Sequence, residues 1–379
     1  MKLTRFFSQT KQVQKQGPIY LVNKNEIYQY VFFDFPRYLR LEEIAQNYDT
    51  LTDYGLMRID IENKNVKNVT KNKVRMFHHD GDFYYFLQDK DSHCCFVKYH
   101  KTTREISFSD DFFEPLFEYP LQYKIMILET GFLIVTEIKV YFLDFNLHCE
   151  YQYTADYLIN KCISLNSNVV FSYERMENGE KLVQHSLKDK QRIFYEMSEY
   201  FENIFDGKKY MFSLQNKNLI LCQINRQEIT NFVLLNSEQK MIRTQKEKGV
   251  VLFCHPDKPE LLLKTAVLKN NFNIVKFTYK NWEKESLLWE KEYRIELEYR
   301  INDEISPLYW EQLHRIVFCG TDYEREGLII IDIENGEVEF FKLTGYLNGD
   351  LSNSVVLQGE TAYVNTLTEK GTSHFYKLE

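Results

Sequence analysis

The amino-acid sequence predicts an all-β protein assembled from repeated strand units. Three observations carry that expectation: the composition, one stretch written twice, and a series of hairpin signals at a regular interval. The 379 residues include 29 Phe and 27 Tyr but only four Ala (Ala45, Ala155, Ala266 and Ala362). Ala is the best helix former, whereas large aromatics favour strands. The duplicated stretch is GLMRIDIENKNVKNV at Gly55–Val69 and GLIIIDIENGEVEFF at Gly327–Phe341, identical at eight of fifteen positions with an offset of 272.

The second copy reads as a hairpin. An apolar run, Leu328–Ile333, precedes Asn335-Gly336 and a returning run, Val338–Leu343. Asn-Gly between apolar runs is a strong hairpin signal, and a type I′ turn is expected there with positive φ at both central residues. The first copy places Asn63-Lys64-Asn65 at the turn, and Asn tolerates the left-handed region. Weaker relatives follow the same grammar at Cys95–Tyr99, Val140–Phe145, Leu182–Leu187 and Leu219–Ile224. A longer unit lies within Val250–Tyr293, and a last one joins Ala362–Thr366 to His374–Leu378. Most units have a further apolar strand upstream.

The unit centres fall near 60, 98, 144, 186, 223, 267, 332 and 377, an interval of 37 to 46 residues with one long step of 65. Self-similar β units at this spacing resemble a β-propeller, in which each unit leaves both faces to be covered by its neighbours. The resemblance spans nearly the whole chain and rests on spacing alone. The Gly-His…Trp-Asp pattern of WD40 blades and the paired glycines of kelch blades are absent from the 14 glycines, and 27 asparagines serve the turns instead. The resemblance implies seven or eight four-stranded blades, eight units being counted. The competing architecture is a large two-sheet sandwich or a pair of barrels. The N-terminal segment Lys2–Phe7 is expected to complete the last blade and so remove an exposed edge.

Two stretches depart from the repeat. Residues 36–48 predict a short helix, with Asp34 as cap, Pro36 in the first turn and Tyr38, Leu41, Ile44 and Tyr48 in one stripe. In Trp282–Trp310, Tyr293, Ile295, Leu297, Tyr299 and Ile301 alternate with charged residues and predict a half-buried strand. No Pro/Gly/Ser linker interrupts the chain, so residues 1–379 are read as a single domain.

Charge and cysteines bound the function. The formal net charge is −8, and no concentrated basic surface is legible, so no nucleic-acid partner is expected. The seven cysteines show no CxxC spacing, which fits buried thiols in a cytoplasmic protein rather than a disulfide framework or a zinc site. No apolar run approaches the length of a membrane helix, and the first residues lack a signal-peptide core. No membrane association, cofactor or metal is expected.

The most chemically suggestive cluster is His78-His79-Asp80-Gly81-Asp82, whose imidazoles and carboxylates would suit acid/base chemistry or a metal. His78, His79, Asp80 and Asp82 are therefore the catalytic candidates. The plainer account is an Asp-Gly turn before the strand Phe83–Leu87. Ser172 falls inside an apolar run without a nucleophile elbow, and no phosphate-binding glycine loop occurs. The polar slot at Asp60 and Asp332 is filled in weaker units by Lys98, Asp144, Ser186 or Gln223, which reads as structural. The functional expectation is a non-catalytic scaffold whose partner is another protein. The alternative is a propeller enzyme or carbohydrate-binding module using an axial pocket.

Overall fold

The computed structural model describes all residues except 10–12, 24–25, 34–53, 61, 64, 71–73, 81, 91–92, 101, 104, 110–123, 137, 157, 177–178, 202–207, 214–218, 225–228, 236–240, 270–271, 295–299, 302–306, 322–325, 348–350 and 371. The fold is an all-β propeller of four-stranded antiparallel blades. The helix expected at 36–48 lies outside the described residues, as do positions 295–299 of the alternating stretch.

The chain divides into two compact units. The first comprises Met1–Pro115 and Ile295–Glu379 and holds four sheets. Strand β1 (Leu3–Gln9) stands first in the chain but belongs to the last sheet. The next sheet runs in order through β2 (Val13–Asn23), β3 (Glu26–Phe33), β4 (Tyr54–Asp60) and β5 (Asn65–Thr70). It is followed by β6 (Val74–Asp80), β7 (Phe83–Lys90), β8 (His93–His100) and β9 (Ile106–Phe108).

The second unit, Leu116–Arg294, holds four more sheets. These are β10 (Lys124–Leu128), β11 (Gly131–Val135), β12 (Lys139–Asp144) and β13 (Cys149–Thr154); then β14 (Leu158–Ser164), β15 (Val169–Met176), β16 (Gly179–Ser186) and β17 (Gln191–Glu196). The third is β18 (Lys208–Ser213), β19 (Leu219–Ile224), β20 (Ile229–Leu235) and β21 (Met241–Lys248). The fourth is β22 (Val250–Cys254), β23 (Glu260–Lys269), β24 (Phe272–Asn281) and β25 (Ser286–Arg294).

The chain then returns to the first unit. There β26 (Arg300–Ile301), β28 (Arg315–Thr321), β29 (Glu326–Asp332) and β30 (Val338–Lys342) form a sheet, with β27 (Leu308–Trp310) also on β28. In the last sheet, β31 (Val355–Gln358), β32 (Thr361–Leu367) and β33 (Ser373–Leu378) are joined by β1, which pairs with β33 from Leu3↔Leu378 to Gln9↔Ser373.

Third strands of successive sheets begin at Tyr54, His93, Lys139, Gly179, Ile229, Phe272, Glu326 and Ser373, in steps of 39 to 54 residues. The long step of 65 read from the sequence is thereby explained. The centres at 223 and 267 lie on second strands, β19 and β23, whereas the other six lie on third strands. Second and third strands look alike in sequence because neighbouring sheets cover both. The second strand β11 is buried at every position, while the outer β13 alternates, with Tyr151 and Tyr153 inward and Glu150 and Gln152 outward.

Neighbouring sheets within each unit share their apolar cores. Leu133, Val140, Phe142 and Tyr153 pack with Cys162 and Val170 of the following sheet, and Phe171, Leu182 and Met197 pack with Leu219, Leu221 and Val233. In the first unit, Trp310 is fully buried among residues of the last two sheets, and its Nε1 donates to the Gly359 carbonyl at 2.7 Å.

Several hairpins from third to fourth strand share a four-residue turn that corrects the sequence reading. Asp332 N donates to the Glu337 carbonyl, and Gly336 N donates to the Asp332 carbonyl, so four residues, Ile333–Gly336, make the loop. Only Gly336 has positive φ (72°); Asn335 does not, so the turn is not type I′. Four-residue loops also separate the paired positions Asp60↔Asn65, Ser186↔Gln191 and Asn281↔Ser286. In the last two, the closing loop residue is again left-handed: Lys190 (φ 55°) and Glu285 (φ 53°).

The residue ending the third strand caps the turn with its side chain. Asp332 Oδ1 accepts from the Glu334 and Asn335 amides at 2.9 and 3.3 Å, and Asn281 Oδ1 accepts from Lys284 N at 2.9 Å. Asp144 Oδ1 accepts from Asn146 N and His148 N, both at 2.8 Å. In the β8–β9 hairpin the cap is His100, whose Nδ1 accepts from Thr102 N and Thr103 N at 3.2 and 3.1 Å. The polar slot of that unit is thus His100, two residues after the expected Lys98. Gln223 leaves the series because it sits on a second strand.

Candidate functional site

The candidates read from the sequence are dispersed along one hairpin. His78, His79 and Asp80 lie on β6, with backbone positions paired to Tyr85, Tyr84 and Phe83. The side chains of these three lie outside what is described. Asp82 is exposed in the turn that follows. Among the described residues, no group of three or more His, Cys, Asp or Glu side chains converges on a metal position.

A cluster of five hydrogen-bonded polar side chains among the described residues lies elsewhere, between the sheet of β10–β13 and the sheet of β14–β17. Alternation on β13 turns Tyr151 and Tyr153 inward, and a two-residue step on β15 puts Ser172 and Glu174 on one face. His185 on β16 lies opposite Val170, two pairs along from Ser172↔Val183 and so on the same face. The five side chains form one chain of hydrogen bonds. Tyr151 Oη lies 2.8 Å from His185 Nδ1, and His185 Nε2 lies 2.7 Å from Ser172 Oγ. Ser172 Oγ donates to Glu174 Oε1 at 3.0 Å, and Tyr153 Oη donates to Glu174 Oε2 at 3.0 Å.

Donor counting gives this network a direction. Ser172 has a single proton and gives it to Glu174, so it accepts from His185 Nε2–H. His185 Nδ1 then accepts from the Tyr151 hydroxyl. Held neutral by its burial, the imidazole carries its one proton on Nε2. Burial, and secondarily the Arg192 guanidinium, hold its pKa down at about 3 from 6.5. Burial raises Glu174 above the ordinary carboxylate range, while the bonds from Tyr153 and Ser172 oppose that rise. Tyr151 is pushed up to about 12, mainly by burial.

Ser172 and His185 are both 0% exposed, so no substrate reaches the hydroxyl. The cluster therefore joins two sheets and does not open to a substrate. Ser172 sits within β15, in keeping with the sequence reading. The partners Glu174, His185, Tyr151 and Tyr153 were not singled out from the sequence. The available signal was a run of inward positions on adjacent strands occupied by polar residues.

Other described histidines are also structural. His255 Nδ1 accepts from Asp257 N and Lys258 N at 3.1 and 3.2 Å, and His374 Nδ1 lies 2.8 Å from Ser8 Oγ across β1 and β33. A cleft of about 330 Å³ runs over the charged faces of β21, β24 and β25. Two of its three lysines are ion-paired, Lys276 with Glu290 at 2.7 Å and Lys280 with Glu247.

The described surface exposes large apolar side chains on the first strands β10 and β14, at Ile127 and Leu158, and on several outermost strands. Ile106 and Phe108 on β9 are 51% and 50% exposed, Ile193 and Phe194 on β17 are 48% and 53%, and Leu287 and Leu288 on β25 are 58% and 46%. Met241 on β21 is also exposed.

No protein-family model matches the chain, and no curated protein matches it. Solved structures do. The Dos1 propeller aligns with a TM-score of 0.53 at 8% identity, covering 99% of this chain and 95% of that one. Chaetomium thermophilum Sqt1, solved bound to the N-terminus of the ribosomal protein L10, aligns at 0.49 and 8% identity over 97% and 99% of the two chains. The Neurospora crassa Pan2 WD40 domain aligns at 0.44 and 8% identity over 81% and 89%. The likeness to the Dos1 propeller bears on the fold alone.

Proposed function

We propose that this chain is a non-catalytic protein-interaction scaffold of β-propeller type, a single domain over residues 1–379 that works in the cytoplasm. The observation that carries the reading is the exposure of large apolar side chains on several outermost strands. Such strands combine unused backbone hydrogen-bonding groups with apolar area, the combination that protein partners recognise. The closed hydrogen-bond chain around His185 supports the non-catalytic part, since its serine is fully buried. Support for a reducing compartment comes from the buried thiols of Cys95, Cys162, Cys222, Cys254 and Cys319. Burial pushes the Cys254 thiol well above the usual range, which makes it inert toward oxidation.

The test is affinity capture from the native cell with the wild-type chain and with a Phe108→Ser/Leu287→Ser/Leu288→Ser variant. Partners retained by the wild type and lost from a variant of unchanged circular dichroism are the expected result. Identical partner sets for both chains, or turnover of a small-molecule or glycan substrate, would overturn the reading.

A further inference from the structure

The outer strand of the β14–β17 sheet carries a pattern that is complementary to itself. Strand β17, Gln191-Arg192-Ile193-Phe194-Tyr195-Glu196, pairs with β16 on one side and is the last strand of its sheet. Five of its six residues are exposed, including Ile193 and Phe194, each about half accessible. The Arg192 guanidinium lies over the Tyr153 ring, 5.0 Å from its centroid, and has no carboxylate partner among the described residues. Glu196, whose side chain is the more exposed of the pair, meets Lys181 across the β16–β17 ladder at 3.3 Å.

Two identical strands related by a two-fold axis perpendicular to the sheet must pair antiparallel, with one residue opposite its own copy. Any other register would place a residue against one that points to the opposite face. Centring β17 on Phe194 sets Arg192 opposite Glu196 of a second copy, and Glu196 opposite Arg192. It also puts Phe194 against Phe194 on the same face and Ile193 against Tyr195 on the other. Centring on Arg192 would oppose two guanidinium groups, and centring on Tyr195 leaves both charges without an opposite partner. Centring on Ile193 sets Arg192 against Phe194 and brings Glu196 to Lys190, which lies in the turn before the strand. One register therefore satisfies charge, apolar area and backbone together. By contrast, the outer strand β21 carries Arg243, Lys246 and Lys248, the kind of cationic side chains that guard an edge.

We infer that β17 is a self-association edge, through which two copies of this chain pair antiparallel about Phe194 with reciprocal Arg192–Glu196 contacts. The inference is independent of the scaffold reading, since a homodimer can form whether or not another protein binds. Strand addition buries a small area, so the contact is expected to be weak, with association at roughly 10–500 μM protein. Cross-strand opposite charges stabilise such a pair, and like charges at the same positions oppose it.

Sedimentation velocity over that concentration range tests it with charge exchange. The wild type is expected to shift from one toward two copies of 45.7 kDa. Arg192→Glu alone and Glu196→Arg alone should each remain monomeric, because each places two like-charged pairs across the axis. An equimolar mixture of the two single variants should associate again, since both pairs then become opposite in sign. The mixture keeps the test independent of folding, because a misfolded variant would not regain a partner. The Arg192→Glu/Glu196→Arg double variant should also dimerise. A wild type that stays monomeric, single variants that dimerise like the wild type, or a mixture that fails to associate would each overturn the inference.

Discussion

Residue by residue, the chain spends polar side chains on closing its own structure. His185 is the clearest case, a neutral imidazole held between a tyrosine and a serine that passes its proton to Glu174. Its depressed pKa makes a signed prediction. Above pH 6.5 the imidazole is neutral in both folded and unfolded chains and contributes no pH dependence. Below 6.5 the unfolded chain takes up a proton that the folded site refuses until about pH 3, so stability is lost as pH falls. Glu174, with its pKa raised, acts in the opposite sense: the stability it lends in acid is lost as pH rises through its folded pKa. Comparison with His185→Gln isolates the histidine. The advantage of the wild type in urea unfolding is expected to shrink between pH 6.5 and 4, by up to about 1.4 kcal/mol per pH unit. Parallel profiles for the two chains would mean that the imidazole is not held neutral.

Among the elements, the four-residue hairpin explains why one stretch is written twice. Asp332 ends its third strand by accepting two amide protons of the turn, and Asp60 stands at the same point, directly across the loop from its pairing partner Asn65. The shared glycine has a reason as well: a Cβ on Gly327 would lie 2.6 Å from the Phe340 ring and 2.8 Å from the Phe341 carbonyl. The left-handed closing position is the weak point of these loops. Lys190 occupies it at a conformational cost that glycine avoids, so Lys190→Gly is expected to stabilise by roughly 0.5–1 kcal/mol. Gly336→Val, which places a β-branched residue at φ 72°, is expected to destabilise by about 1–2 kcal/mol. Urea midpoints check both, and a Lys190→Gly chain of lower midpoint would contradict the account.

For the molecule as a whole, the single-domain proposal has a direct readout in the three tryptophans. Trp282 and Trp289 belong to the second unit and Trp310 to the first. Fluorescence of a Trp310→Phe variant reports the second unit alone, and that of a Trp282→Phe/Trp289→Phe variant the first. One cooperative domain predicts coincident unfolding midpoints by both signals and by far-ultraviolet circular dichroism. Separate midpoints would establish two independently folding units.

That this is an all-β repeat protein was legible before any folding, because strand composition, hairpin punctuation and the 272-residue duplication are local signals that survive in one dimension. The same signals placed six of the eight unit centres on third strands. Which strand of its unit a given run represents emerged only on packing, since β19 and β20 are equally apolar and differ only in what lies beside them. The same holds for the His185 cluster. Its members come from β13, β15 and β16, and their chemistry arises from burial and hydrogen-bond direction, which exist only once neighbouring sheets have packed.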